Sequence, residues 1–347
     1  MSYQSVSEKF LVVNKNIHRA LIGHYDLYKK VIQDGHEYYV LFHRKGTPVS
    51  HAFPEDLFIC ESDIIYPSTQ SVPERKSIRT KPFGQVAALM ITKDYESKIL
   101  NNPELDIQEK IELTVHCSCQ VMRSLFQKSS LAENDFEMIR QVGYSFLGFT
   151  ELIFQENEAV EILVKNLMGC SINEYNHSVH VSLYAGILAS ELNSKEVLKV
   201  DSQRLKNLYI GTLLHDIGKT RIRPEILRKN GRLNPEEYEV IKKHPLYGIE
   251  MVESADFPRE AREIVLYHHE KWSGGGYPFN INYQSIPVLA RIASICDVFD
   301  ALTTRREYRQ ARKPFEALVL MKKKMLGAFY HPYLDVFIQV LGSGSQD

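Results

Sequence analysis

The sequence predicts a mainly α-helical protein in which a small β-containing N-terminal domain and a helical linker precede an all-helical C-terminal half. Strand-like runs with turn signals are confined to the N-terminal residues. From about residue 83, apolar residues recur at the spacing of amphipathic helices. The length of 347 residues suggests two domains, or one large domain with an appendage.

Residues 1–75 are expected to form a small β-rich accessory or regulatory domain. Tyr25–Ile32 and His36–His43 are rich in Tyr, Val and Ile, and the Asp-Gly pair between them is typical of a hairpin turn. Pro54–Cys60 is expected to be a short helical stretch. Residues 67–82 are rich in Ser, Thr, Pro and basic residues, as linkers often are.

Residues 83–168 are expected to form a helical linker that also serves as a dimerisation region. In residues 105–127 the apolar positions lie close to helical spacing, and the pattern continues to residue 168. Strand signals are nearly absent after Cys170. We therefore assign residues 170–342 to a helical C-terminal domain. Because helical linkers often pair between subunits, we expect a homodimer.

Composition and charge exclude several classes of protein. Hydrophobic residues make up 44% and charged residues 24%, which is ordinary for a soluble globular protein. The formal net charge of -1 argues against a general nucleic-acid binder, because such proteins neutralise many phosphates. Five cysteines do not form a disulfide framework, and neither a signal peptide nor an apolar run of ~20 residues is visible. We expect a cytoplasmic protein without a membrane span.

Seven of the 13 histidines lie at or after residue 177, and three of them stand in pairs that suggest a site. His215 directly precedes Asp216, and His268 directly precedes His269. Because adjacent helical residues point about 100° apart, such a pair can serve two neighbouring ions, and an Asp carboxylate can bridge them. A lone histidine is more often a core or surface residue. A His-Asp pair straight after an apolar run, however, is costly to bury unless metal or hydrogen bonds compensate.

Three side chains on separate predicted helices are able to complete such a site: His177, His244 and Asp297. A set of imidazoles and carboxylates without thiolate suits iron, manganese or another six-coordinate ion better than a structural zinc. Two ions about 3.5–4 Å apart would hold the attacking and leaving oxygens of a displacement and lower the pKa of a bridging water. Such a centre suits phosphate ester hydrolysis.

Three segments resemble the HD phosphohydrolases of the HD-GYP subgroup. Leu214–Lys219 resembles the HD motif, His268–Pro278 resembles the HHE…GYP motif, and Cys296–Thr303 resembles the D-x-x-D-A-L segment that follows it. Their order and spacing agree over about residues 170–340. The resemblance implies an HD-type helical bundle that hydrolyses the bacterial second messenger cyclic di-GMP to pGpG and sometimes GMP.

The resemblance also implies a role for each matching residue. The metal ligands would be His177, His215, Asp216, His244, His268, His269 and Asp297, with Asp216 bridging two ions. Asp216 and Lys219 would be catalytic, and Lys219 would reach the scissile phosphate or the nucleophilic water. The residues that bind substrate would be Lys219, Gly276, Tyr277, Pro278, Arg306 and Arg309. The guanidinium groups suit phosphate because their planar fork makes bidentate contacts.

The chain departs from the family pattern at several positions. Ser273 stands where Asp is usual, and we expect it to serve the loop structure. His180 stands where Arg is usual, and we expect it to pack or to support the ligands from behind. Asn173 stands where some members use Glu to hold a third metal. We therefore expect two divalent ions, iron or manganese, rather than three.

Two other functions remain open. The chain could be a catalytically weak receptor that binds a cyclic dinucleotide and acts through protein contacts, or it could hydrolyse another nucleotide. The complete ligand set favours an enzyme, and the Gly-Tyr-Pro segment favours a cyclic dinucleotide. The expected partners are cyclic di-GMP, a second copy of the chain and proteins of the signalling pathway, but no nucleic acid polymer.

Overall fold

The computed structural model describes two parts of the chain. In the N-terminal part it describes the backbone of four strands. From residue 95 to residue 342 it describes the chain apart from 104, 157, 170–173, 228, 230, 254–256 and 305–310.

The four strands form one antiparallel sheet in the order β1-β4-β2-β3. They are β1 (Leu11–Val13), β2 (Asp26–Gln33), β3 (His36–His43) and β4 (Leu57–Cys60). The expected helical stretch from residue 54 to residue 60 is therefore wrong over β4, where aromatic and β-branched residues favour an extended backbone. The assignment of residues 1–75 to an accessory domain stays a prediction.

Helices make up the described part after residue 95, which contains no strand. The first six α-helices are α1 (Ile107–Leu125), α2 (Glu133–Gln155), α3 (Ala159–Gly169), α4 (Glu174–Ser194), α5 (Ser202–Leu214) and α6 (Pro224–Leu227). They are followed by α7 (Pro235–Ile241), α8 (His244–Val252), α9 (Arg259–Tyr267), α10 (Val288–Thr303), α11 (Pro314–Lys324) and α12 (His331–Gly342). A π-helix spans Glu96–Leu100, and 3-10 helices span Ile217–Arg221 and Tyr283–Ser285. The predicted helical character of the C-terminal half is confirmed.

Side-chain caps explain where several helices begin. The Asp106 carboxylate accepts a hydrogen bond from the Glu109 main-chain N–H at 2.8 Å, and the Glu109 carboxylate accepts one from the Asp106 N–H at 3.0 Å. Asn234 and Glu237 form the same reciprocal pair at the start of α7. Such caps satisfy N–H groups that have no partner within the helix.

The segment from α1 to α3, within the predicted linker, shares a hydrophobic core with the helices that follow. Helix α4 packs against α1, α2, α5, α10 and α12, and α5 packs against α2 and α9. The Phe146 and Tyr209 rings meet edge to face with centroids 5.5 Å apart, and the Tyr209 hydroxyl lies 2.5 Å from Thr150 Oγ1. The dimerisation role of residues 83–168 stays a prediction.

A close approach of two glycines positions the end of α5 against the start of α8. A Cβ atom on Gly218 would overlap the main chain of His244 and Gly248. Because only hydrogen occupies this space, the 3-10 helix that follows Asp216 lies directly against α8.

Among the described helices, none combines the length and the apolar character needed to cross a membrane.

Candidate metal centre

The seven predicted metal ligands converge from five parts of the fold. They lie at the first turn of α4 (His177), the end of α5 (His215 and Asp216), the start of α8 (His244), the end of α9 (His268 and His269) and the middle of α10 (Asp297). Six of them are buried, and the side chain of the seventh, His269, is 23% exposed. The structure therefore gathers the whole predicted set into one cluster.

The possible donor atoms form two groups that share Asp216. One contains Asp216, His244, His268 and His269, and the other contains Asp216, His177 and His215; within each group the atoms lie within 4.8 Å of one another. Asp216 Oδ1 is 3.2 Å from His244 Nε2, whereas Oδ2 is 3.7 Å from His177 Nε2. The two carboxylate oxygens thus face different histidines, an arrangement suited to bridging two ions.

Asp297 lies between the same two groups. Its Oδ1 is 3.0 Å from His177 Nε2, and its Oδ2 is 3.6 Å from His269 Nδ1. The Asp297 carboxylate is therefore placed to contribute an oxygen to either group, although it belongs to neither of the two tight clusters.

Three of the histidines are held from behind by main-chain carbonyl oxygens. Their Nδ1 atoms lie 2.7–3.1 Å from carbonyls about one helical turn earlier: His215 from Thr212, His244 from Ile241, and His268 from Ile264 and Val265. A ring that donates from Nδ1 presents an unprotonated Nε2, which is the form that binds metal. His215 Nε2 is buried without a hydrogen-bond partner. An ion at this point would satisfy that atom, so the donor set fits a divalent cation.

The charges of the cluster also suit cations. Burial, together with the neighbouring histidines, lowers the pKa of His268, and burial lowers the pKa of His269 to about 3. Burial alone would raise the pKa of Asp216, but Lys219 and the nearby histidines hold it well below its usual range. At neutral pH these residues therefore offer neutral imidazoles and an ionised carboxylate, the forms that coordinate metal.

His177 differs because both of its ring nitrogens face carboxylates. Burial acts to lower its pKa, but hydrogen bonds with Asp297 and Asp300 outweigh this effect and raise the pKa to about 10. In the metal-free chain the imidazole is therefore protonated, and a bound cation would replace the proton on Nε2.

A cavity of about 310 Å³ opens over the centre. Its polar lining residues are His177, Lys219, His244, His269, Tyr277 and Asp297, and its apolar lining residues are Ile241, Val298, Ala301, Leu302 and Met325. Lys219 Nζ lies 2.6 Å from Asp216 Oδ2, and its side chain is 22% exposed. A phosphate above the centre would therefore meet the Lys219 ammonium, while the apolar lining residues would meet the less polar parts of a ligand.

The Gly-rich loop, which contains Gly274, Gly275 and Gly276, lies directly against the pair His268 and His269. Gly274 and Gly275 have φ angles of 88° and 77°, which favour glycine. A Cβ atom on Gly276 would stand 2.5 Å from Glu270 Cα and 2.7 Å from His269 O. The loop thus contacts the main chain that carries the ligands, and the predicted contact of Gly276 with substrate stays a prediction.

The loop places Tyr277 at the wall of the cavity. Its main-chain N–H donates to His269 O at 3.3 Å, and its ring lies 4.6 Å from the His269 ring at an angle of 33°. The peptide bond to Pro278 is cis. Tyr277 lines the cavity and Pro278 does not. Arg306, Arg309 and Asn173 lie outside the described residues.

Two neighbouring residues of the loop have structural contacts. The Ser273 main-chain N–H donates to Gly327 O at 2.8 Å. The Trp272 ring packs against Tyr330 with centroids 4.5 Å apart and lies 5.1 Å below the Arg291 guanidinium. Trp272 does not line the cavity. The contacts of Trp272 and Ser273 anchor the loop to the helical core.

Two further carboxylates shape the site, although the sequence did not identify them as functional residues. Glu270 is 2% exposed, and its Oε1 accepts a hydrogen bond from the Phe279 main-chain N–H at 2.7 Å, which ties the Gly-rich loop to the histidine pair. Asp300 contacts His177 from the side away from the cavity. Because Asp297 and Asp300 are three residues apart on one helix, the sequence already indicated that they lie on the same face.

Comparison with known proteins identifies residues 176–332 with the HD domain family. A curated cyclic di-GMP phosphodiesterase from Thermotoga maritima is 30% identical over 213 residues, which cover 61% of this chain and 54% of the relative. A 3′3′-cGAMP-specific phosphodiesterase 2 from Vibrio cholerae is 38% identical over 135 residues, which cover 38% of this chain and 25% of the relative. The chain thus spans about half of the first relative and a quarter of the second.

The fold has a solved counterpart. Bd1817, an HDG"Y"P protein from Bdellovibrio bacteriovorus, superposes with a TM-score of 0.61 at 16% identity, covering 96% of this chain and 99% of the other. At this identity the likeness shows a shared fold. Residues 176–332 of this chain therefore match the HD domain family, and they contain the segments that resemble the HD-GYP pattern.

Proposed function

We propose that this chain is a metal-dependent phosphodiesterase that hydrolyses cyclic di-GMP to linear pGpG, with GMP as the product of a second cut. The observation that carries the proposal is the pair of ligand groups that share the buried Asp216 beneath a cavity. The name of the Thermotoga maritima relative supports the same reaction.

Two divalent ions, iron or manganese, fit the donor set. His177 and His215 would hold one ion, His244, His268 and His269 would hold the other, Asp216 would bridge them, and Asp297 would add an oxygen. When bound, such ions supply Lewis acidity and lower the pKa of a bound water. The absence of thiolate ligands in the cluster supports these metals over a structural zinc.

The remaining chemistry would come from the side chains that face the cavity. The Lys219 ammonium is placed to stabilise negative charge on the non-bridging phosphate oxygens. Tyr277 would hold the ligand, together with the backbone at Gly276 and Pro278. We propose phosphate contacts for Arg306 and Arg309 because their guanidinium forks match phosphate oxygens.

A second substrate is favoured by the lining of the cavity. Among the described residues, the apolar ones that line the cavity offer no side-chain hydrogen bond that would distinguish one purine edge from another. A related cyclic dinucleotide such as 3′3′-cGAMP, the substrate named for the Vibrio cholerae relative, would meet the same surface. Side-by-side assays of the two dinucleotides would rank them.

The test is an assay of the purified chain with cyclic di-GMP and Mn²⁺ or Fe²⁺ under reducing conditions, with pGpG measured by chromatography. His215→Ala should abolish turnover, whereas His331→Ala, which removes an exposed histidine outside the cluster, should not. Absence of turnover in the metal-loaded chain would refute the proposed phosphodiesterase activity. Tight binding of cyclic di-GMP without turnover would instead identify a receptor.

We also propose how the chain is organised and where it acts. Residues 83–168 would pair two copies of the chain, residues 1–75 would form an accessory domain, and protein partners would read the signal. A cytoplasmic location is supported by the buried thiols of Cys117 and Cys296, which are not in disulfide bonds. A monomer in light scattering would contradict the dimer.

A further inference from the structure

A buried carboxylate lies behind His177. Asp300 Oδ2 is 2.7 Å from His177 Nδ1, and Asp300 Oδ1 is 2.9 Å from His180 Nδ1. Asp300 is 1% exposed and His180 is fully buried. Neither of them lines the cavity, so neither is placed to touch a substrate.

His177 needs an acceptor on this side. A histidine that coordinates metal through Nε2 must carry its proton on Nδ1, and that proton requires a hydrogen-bond acceptor when it is buried. The other three supported histidines use neutral main-chain carbonyls. A carboxylate makes a stronger, charge-assisted hydrogen bond, which orients the ring more firmly and makes it a more basic ligand.

His180 occupies the position where the family pattern has arginine, one turn after His177 on the same face of α4. Its Nδ1 and the Thr304 hydroxyl, which donates at 3.0 Å, both contact Asp300 Oδ1. These two contacts fix the plane of the carboxylate and leave Oδ2 directed at His177. His180 thus supplies a contact to Asp300 that the side chain of an arginine is also able to make.

We propose that Asp300 is a positioning residue that holds His177 ready to bind metal through Nε2, and that His180 in turn holds Asp300. This inference rests on the proposed metal centre. It adds to the site two buried residues that contact neither the substrate nor the predicted ions. It also assigns a role to His180, which stands where the family pattern has arginine.

The test is calorimetric titration of the full-length, metal-free chain with Mn²⁺. Asp300→Asn keeps the shape of the side chain but removes its charge, and it should weaken Mn²⁺ binding about 10–100-fold at the ion that His177 holds. His180→Arg should retain near-wild-type affinity, because arginine also donates to the carboxylate. Asp335→Asn is the matched control, since the Asp335 side chain is 45% exposed and pairs only with Lys322 among the contacts described.

The outcomes separate this inference from the proposed function. Wild-type affinity in a folded Asp300→Asn chain would overturn the inference and leave the metal centre standing, whereas a wild-type chain that binds no Mn²⁺ would overturn both. If Asp300→Asn does not fold, His180→Leu and Thr304→Val decide, because each removes one donor to Oδ1. Each should weaken binding about fivefold, and unchanged affinity in both would overturn the inference.

Discussion

Replacing Gly276 with alanine is expected to displace the Gly-rich loop from the metal centre. The added Cβ atom would lie 2.5 Å from both Glu270 Cα and Lys271 N, and 2.7 Å from His269 O. Atoms of this kind ordinarily approach to roughly 3.5–4.0 Å, so the two segments must separate by about 1 Å. All three contacted atoms are main-chain atoms, so no side-chain rotation relieves the overlap.

The size of the effect follows from this displacement. Overpacking of this kind costs about 1–3 kcal/mol, which in a helical unit of this size lowers the Tm by about 2–4 °C per kcal/mol. A misplacement of about 1 Å in an active site can cost about 100-fold in rate. Because Tyr277 directly follows Gly276 and stacks on His269, we expect a fall of that order in kcat/KM for cyclic di-GMP.

The assay compares Gly276→Ala with Gly275→Ala in thermal melts and steady-state kinetics. A Cβ atom on Gly275 meets open space, but its φ of 77° makes a side chain strained by about 1–2 kcal/mol. The two variants should therefore lose similar stability, while only Gly276→Ala loses most of its activity. Wild-type kcat/KM and Tm in Gly276→Ala, or an equal loss of activity in Gly275→Ala, would refute the reasoning.

Three other predictions concern the centre and its surroundings. Removal of metal by a chelator should lower the Tm reversibly, because an ion present at about 100 times its Kd stabilises the fold by about 2.7 kcal/mol; a melt unaffected by chelator and Mn²⁺ would contradict the site. In the metal-free chain the pKa of His269 is lowered from 6.5 to about 3, so the unfolded state binds more protons and stability falls as the pH drops from 6.5 towards 3. The pKa of His177 is raised from 6.5 to about 10, so the folded state binds more protons and stability falls as the pH rises from 6.5 to 10. A melting temperature without a maximum near pH 6.5 would contradict the pKa shift of at least one of these two histidines. Lys219→Gln should lower kcat roughly 100-fold while Mn²⁺ affinity in calorimetry stays close to that of the wild type, and an unchanged kcat would remove Lys219 from the mechanism.

The sequence was most informative where function depends on adjacency along a helix. The pairs His215–Asp216 and His268–His269 project in two directions from one point of the backbone, and the structure gathers both pairs in one cluster. Gly276 was named in the sequence only as a substrate-binding residue, and its close approach to the main chain of Glu270 became visible only in the structure.

Asp300 and Glu270, whose contacts depend on how the helices and the loop pack, were not predicted as functional residues. Asp300 becomes part of the site because α10 packs across α4 and brings it to His177 and His180, 123 and 120 positions away in sequence. The helical period of α2 showed that one face is buried but not which neighbour covers it. Glu270 lay within a recognised motif, yet its bond to the Phe279 main chain depends on the path of the loop.

The core shared by α2 and α5 shows that the segment matching the family is shorter than the segment that folds as one unit. The family match begins at residue 176, but Ile139, Val142 and Phe146 are fully buried in the core that the HD helices use. A fragment trimmed to the match would expose the apolar face that α2 covers, including the parts of Tyr209 that contact Phe146 and Thr150, and it should aggregate. An exchange of this HD domain between proteins, in evolution or by design, must therefore carry the preceding helices with it.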